Sequence, residues 1–187
     1  MNGTTSAQGL RAPSIGSATE AGMRKARTGN RVATAYSEHA PGLARLAFLL
    51  TGDAWLAEDL VQEAFVRAVG RFVHLRRSEA LHAYLRRTVV NLVGKHVRRA
   101  KLERAYVVQA APGSRAASQP DVALQEELWC ALRKLPHRQR AALVLRFYED
   151  LSERETARML GCPVGTVKSL VHRGLAAMRE QIGGDTQ

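Results

Sequence analysis

Aromatic residues are scarce in this chain of 187 residues, which has four Phe, four Tyr and two Trp. Few rings are therefore on offer for stacking against bases or cofactors. Only two cysteines occur, Cys130 and Cys162, far apart and without a C-x-x-C pair. That spacing argues against a zinc site and implies no disulfide, so both read as ordinary part-buried thiols. The six histidines are scattered, with no H-E-x-x-H and no glycine-rich phosphate loop. No apolar run reaches eighteen residues, so no membrane-spanning helix is expected. The N-terminus is rich in Gly, Ser, Thr and Ala, but no apolar segment follows its basic residues, so no secretory signal is expected. Glu58, Asp59 and Glu63 come closest to a carboxylate cluster. They share one helix and lack a histidine partner, so they read as a solvated acidic face. Nothing points to catalysis, to a metal or to a cofactor.

Positive charge is abundant. Lys plus Arg number 28 against 17 Asp plus Glu, a net charge of +11. A polyanionic partner is the natural inference, nucleic acid being the commonest. Residues 1–31 hold few large apolar side chains and read as a disordered extension, with Met23 as a second candidate start. From 32 to 105 the periodicity is helical, without strand-like alternation. Pro41 is expected near a helix start, Gly52 just past its end, and Asp53 as the cap of the next helix. On that helix Leu56, Leu60, Ala64, Phe65, Ala68 and Phe72 make an apolar stripe. After a break at VHLRRSEALH, a third helix points Leu85, Val89, Leu92, Val93 and Val97 inward. Between 86 and 104 it carries seven basic residues against Glu103 alone, more than half of the net surplus. Such a run is commonly just a solvated face, but its recurrence beside an apolar stripe suggests a surface that tracks a phosphate backbone. Asn91 lies amid the apolar run, either as a satisfied core amide or as a base contact. Residues 106–123, with two prolines and GSRAAS, read as a flexible linker. A second helical unit of four short helices spans 124–182, and 183–187 form a tail. The fold class is all-α, with two small helical domains. Trp55 and Trp129 both sit near helix starts and read as packing residues.

The final pair of helices is the most specific signal. In LSERETARMLGCPVGTVKSLVHRGLAAMRE, Ser152 and Glu155 form a capping box, Gly161 suits a left-handed helix end, and Pro163 stops continuation. Val167, Leu170, Val171 and Leu175 give the second helix one apolar side. Thr166, Lys168, Ser169, His172 and Arg173 fall away from it. Lys and Arg can donate to guanine, and Ser and Thr can bond bases or phosphates. Cap, turn, anchors and donors agree on a DNA-reading helix-turn-helix rather than a plain helical hairpin.

The motifs LTGDAWLAEDLVQEAFVRA, AYLRRTVVNLV, LPHRQRAALVLRFYEDLSERETARMLG and CPVGTVKSLVHRGLAAMR resemble the extracytoplasmic-function sigma factors of bacterial RNA polymerase, in particular the actinobacterial subgroup. The resemblance covers about residues 36 to 182. It implies sigma region 2 at 32–105 and sigma region 4 at 124–182, in a bacterial cytoplasmic protein. Asp59, Gln62 and Glu63 would contact the clamp helices of the polymerase β′ subunit, and the second unit the β flap. The segment from Val73 to Ala83 and the helix after it would open and hold the −10 element. There His82, Tyr84, Arg86, Arg87, Asn91, Lys95, Arg98 and Arg99 would meet the exposed strand. Thr166, Lys168, Ser169, His172 and Arg173 would read the −35 duplex. An anti-sigma factor is a further partner that the resemblance brings with it.

Two other readings compete. A free-standing regulator would use the same hairpin, most simply as a dimer on a two-fold site, but leaves the long basic helix and the acidic helix unexplained. A DNA-modifying enzyme would need paired carboxylates near the DNA, for which Glu58 to Glu63 is the sole candidate.

Overall fold

A computed structural model describes the backbone of residues 15–70, 78–106 and 123–184. Among these residues there are seven α-helices, one short π-helical segment and no strand. The expected linker and tail lie almost wholly outside the described residues, as do Phe72 and Val73.

Helix α1 (Ile15–Thr51) ends at Gly52, whose φ of +80° no β-carbon has to accommodate. Asp53 then caps α2 (Ala54–Val69) by accepting from the Leu56 amide at 3.1 Å. Helix α3 (Ser78–Tyr106) completes the first unit. Leu43, Leu46, Ala47 and Leu50 of α1 pack on Leu60, Val61, Ala64 and Phe65 of α2 and on Leu85, Val89 and Val93 of α3. Each large aliphatic side chain so buried contributes on the order of 2 kcal/mol.

Three boundaries differ from the sequence reading. Helix α1 begins at Ile15, inside the stretch expected to be disordered. Pro41 lies within that helix rather than at its start. An interior proline lacks one amide donor and crowds the preceding turn. Burial of Ala40, Leu43, Leu46 and Ala47 on either side holds the helix together across it. Helix α3 starts at Ser78, so His82 and Ala83 are helical instead of belonging to a loop.

The second unit consists of α4 (Ala123–Lys134), α5 (His137–Leu143), α6 (Glu153–Leu160) and α7 (Val164–Gly184). Ala131, Leu135, Leu143 and Met178 form its own small core, lined by Val171, Leu175 and Ile182. Gly174 of α7 lies so close to α5 that a β-carbon there would sit 3.0 Å from Leu143 Cδ1. A π-helical segment, Val144–Tyr148, follows α5. Its wide turn closes with Glu149 N–H to Val144 O at 3.1 Å and Leu151 N–H to Leu145 O at 3.0 Å. Asp150 takes φ +49°, a left-handed conformation that Asp tolerates better than most residues.

The two units touch. Ala141, Val144, Leu145 and Leu151 are buried in the same cluster as the first unit's core. Phe48 stacks on Trp129 with ring centroids 4.7 Å apart. The His137 ring hydrogen-bonds the Leu50 backbone beside Arg140, and burial is the main force pushing its pKa down to about 4.

The folded chain thus leaves His137 neutral until about pH 4, while an exposed imidazole takes its proton near 6.5. The unfolded chain binds that proton first, so stability is complete above about pH 6.5 and declines as the pH falls toward 4. Thermal unfolding at pH 4.5 is expected several degrees below that at pH 7. His137→Gln should remove much of that difference; an unchanged pH slope in this variant would remove His137 as its source.

Candidate nucleic-acid interface

The hairpin of α6 and α7 is built as its local chemistry dictates. Ser152 Oγ accepts from the Glu155 amide at 3.3 Å, while Glu155 Oε2 accepts from the Ser152 amide at 2.8 Å. The Ser152 hydroxyl also donates to Glu155 Oε2 at 2.5 Å, and this bond, then the one from the Ser152 amide, holds the Glu155 carboxyl below the usual carboxylate range. Gly161 turns the chain at φ +61°. Val167 and Leu170 are buried, which turns Lys168, Ser169, His172 and Arg173 outward. These four line one open surface depression, whereas Thr166 is half-buried and not among its lining residues. Among the described residues, their hydrogen bonds and ion pair all lie within the hairpin. Ser169 donates to the Gly165 carbonyl at 3.0 Å, Arg173 to the Ser169 carbonyl at 3.2 Å, and Lys168 Nζ lies 3.7 Å from Glu153. A row of two cations, a hydroxyl and an imidazole on an exposed helix face can donate to base edges and to phosphates.

On α3 the eight expected residues divide. Arg87, Asn91, Lys95, Arg98 and Arg99 are exposed. At 100° per residue they span an arc of about 120°, a single basic strip. Asn91 is thus a surface amide, not a core one. Arg99 is held by Glu103 at 2.7 Å, whose carboxylate raises the guanidinium pKa. His82 and Arg86 fall outside that arc, while Tyr84 lies within it but is half-buried. Tyr84 packs against the large core. His82 stands 5.2 Å from His39, ring to ring, and its pKa is lowered by burial, then by Arg86 and His39. Arg86 turns toward the second unit, where Nη1 meets Glu149 Oε2 at 3.1 Å.

On α2, Asp59 and Gln62 are exposed, while Glu63 is half-buried and bonded to Arg67. The same outer side carries Trp55, 77% exposed, and Val66, 72% exposed. Trp55 is therefore not a packing residue, in contrast to Trp129. The two apolar side chains were legible in spacing: 55, 59, 62 and 66 repeat at i, i+4, i+7 and i+11, opposite Leu60 and Ala64. An indole flanked by carboxylates on an open helix face is the composition of a protein-binding spot.

Among the described residues no group of three or more His, Cys, Asp or Glu is arranged to hold a metal ion. None of the described helices is long and apolar enough to cross a membrane.

The family model for sigma-70 region 2 matches residues 35–103, and that for sigma-70 region 4 matches residues 125–178. The chain is 39% identical over 140 residues to the RNA polymerase sigma-E factor of Streptomyces avermitilis, covering 75% of this chain and 78% of that protein. It is 31% identical over 152 residues to the extracytoplasmic-function sigma factor SigW of Bacillus subtilis, covering 74% and 81%. Its fold is similar to that of the Bartonella quintana sigma factor RpoE, solved in complex with the anti-sigma factor NepR. That likeness has a TM-score of 0.62 at 26% identity over 79% of this chain and 94% of the other.

Removing the Ser152 hydroxyl leaves one amide of α6 without its cap. Ser152→Ala is expected to lower stability by about 1 kcal/mol in urea unfolding. Unaltered unfolding would mean that the capping box does not hold the hairpin.

Proposed function

This chain belongs to the extracytoplasmic-function group of sigma-70 factors, and from that premise we propose which of its surfaces does what. It is an alternative sigma factor, a specificity subunit that binds core RNA polymerase and directs promoter-specific initiation. Residues 32–105 serve as region 2 and 124–182 as region 4, joined by the 106–123 linker. We assign the −35 duplex to Lys168, Ser169, His172 and Arg173, with half-buried Thr166 beside them. The single observation that carries this is their shared exposed row on α7, whose opposite side, with Val167 and Leu170, is buried.

The −10 strand is assigned to the basic strip of α3, where Arg87, Asn91, Lys95, Arg98 and Arg99 follow the phosphates. His82, Tyr84 and Arg86 join it at the helix start. Asp59, Gln62 and Glu63 meet the clamp helices of β′, and Trp55 with Val66 supplies the apolar anchors that charge alone lacks. The second unit reaches the β flap. The chain has no catalytic site of its own and works in the cytoplasm. The Bartonella quintana relative, held by an anti-sigma factor, supports the reading that this chain too can be restrained by such a partner.

Run-off transcription with core polymerase on a genomic fragment library tests the whole reading. Asp59→Arg is expected to abolish initiation while leaving duplex binding intact; full transcription by that variant would remove the clamp contact. Arg173→Ala should weaken −35 duplex binding by about 1–3 kcal/mol if it reads a base. A loss that is uniform across sequences, with a shallower salt dependence, would reassign it to phosphate.

A further inference from the structure

The contact between Arg86 and Glu149 has a geometry that a resting ion pair on a surface would not need. The two side chains are only 19% and 13% exposed, so both charges have lost most of their water. Glu149 reaches this place because of its backbone. The π-helical turn ends on it, Asp150 takes the left-handed conformation, and buried Leu145 and Leu151 fix the chain on both sides. Arg86 meanwhile leaves its Nε buried without a hydrogen-bond partner. A guanidinium fork suits a bidentate anion, and here a single Nη1–Oε2 contact is made. A buried pair satisfied on one side only is a weak source of stability, because desolvation offsets its attraction.

Farther along α1, the stacked rings of Phe48 and Trp129 and the His137 contact to Leu50 also join the two units. The rest of the basic strip on α3 and the outer face of α7 stay exposed. Contact between the units thus takes in Arg86 at the beginning of α3, while Arg87, Asn91, Lys95, Arg98 and Arg99 remain exposed.

We propose that the chain away from polymerase closes on itself, with the Glu149 carboxylate occupying Arg86 in place of a strand phosphate. The second unit thereby withholds the first turns of α3 from single-stranded DNA until the units part. The inference rests on the assignment of Arg86 to the −10 strand. It predicts that closing weakens single-strand binding and leaves duplex recognition by α7 untouched.

Trp129 is the reporter. In a Trp55→Phe background its emission follows the stack on Phe48. Glu149→Gln and Glu149→Ala are placed in that full-length chain, with helical circular dichroism confirming the fold. Both should shift Trp129 emission to the red and tighten binding to a labelled single-stranded DNA of about 12 nucleotides. The gain should be roughly tenfold, the exchange of one charge-assisted bond. Affinity for a duplex should not move. Arg86→Glu combined with Glu149→Arg should restore the blue emission and abolish the gain in strand affinity. The closing device is refuted if Trp129 emission in both Glu149 variants matches the parent, or if it shifts with no gain in strand affinity. Run-off transcription with core polymerase, done with chains that retain Trp55 and with the unsubstituted chain as parent, separates the two levels. If the parent initiates, a failed latch leaves the sigma assignment standing; if neither parent nor variants initiate, both fall.

Discussion

Storing a large surplus of positive charge in a small all-helical chain is the constraint that shapes this molecule. The excess of +11 cannot be buried, and like charges crowded on one side would repel. The fold separates them. One set forms the strip along α3, and a second lies on the outer side of α7, each backed by a row of aliphatic residues that turns it outward. Acidic side chains stand where they moderate this field: Glu103 against Arg99, Glu153 near Lys168, Glu149 against Arg86. Each pairing is one that a phosphate could replace.

A different logic governs the outer side of α2. There the charge is negative, the helix is tied to α1 by a corner of Gly52 and Asp53, and a large indole projects among carboxylates. A surface of that kind repels nucleic acid and suits a basic protein partner. On the proposed assignment, one short chain presents two faces to DNA and one to protein, which is what a specificity subunit requires.

Much of this was legible in the sequence, for local reasons. Ser152 with Glu155, Gly161 and Asp53 act through bonds to neighbours in the chain, and their roles are written within three or four residues. The inward rows of α2 and α3 follow from helical period alone. Longer-range effects were not legible. Pro41 reads as a helix start, but burial on both sides carries α1 through it. Trp55 is a separate case, because its outward place was legible in the helical spacing although the residue type alone suggests packing. Arg86 belongs by sequence to the same basic run as Arg87, and the 100° between adjacent side chains sends it toward Glu149, 63 positions away. The π-helical turn that places Glu149 has no signature in VLRFYED that local propensity could supply.

The close approach of Gly174 to Leu143 bears on how such a reader could change its preferred target. With α7 seated so close on α5 that even a β-carbon at 174 would crowd Leu143, the scaffold positions the helix, and on the proposed assignment its bearing in a DNA groove follows from that packing. New preferences are then open chiefly through exchange of the outward side chains at 168, 169, 172 and 173. Retargeting becomes a matter of altering the letters on a fixed type bar, leaving the press itself alone.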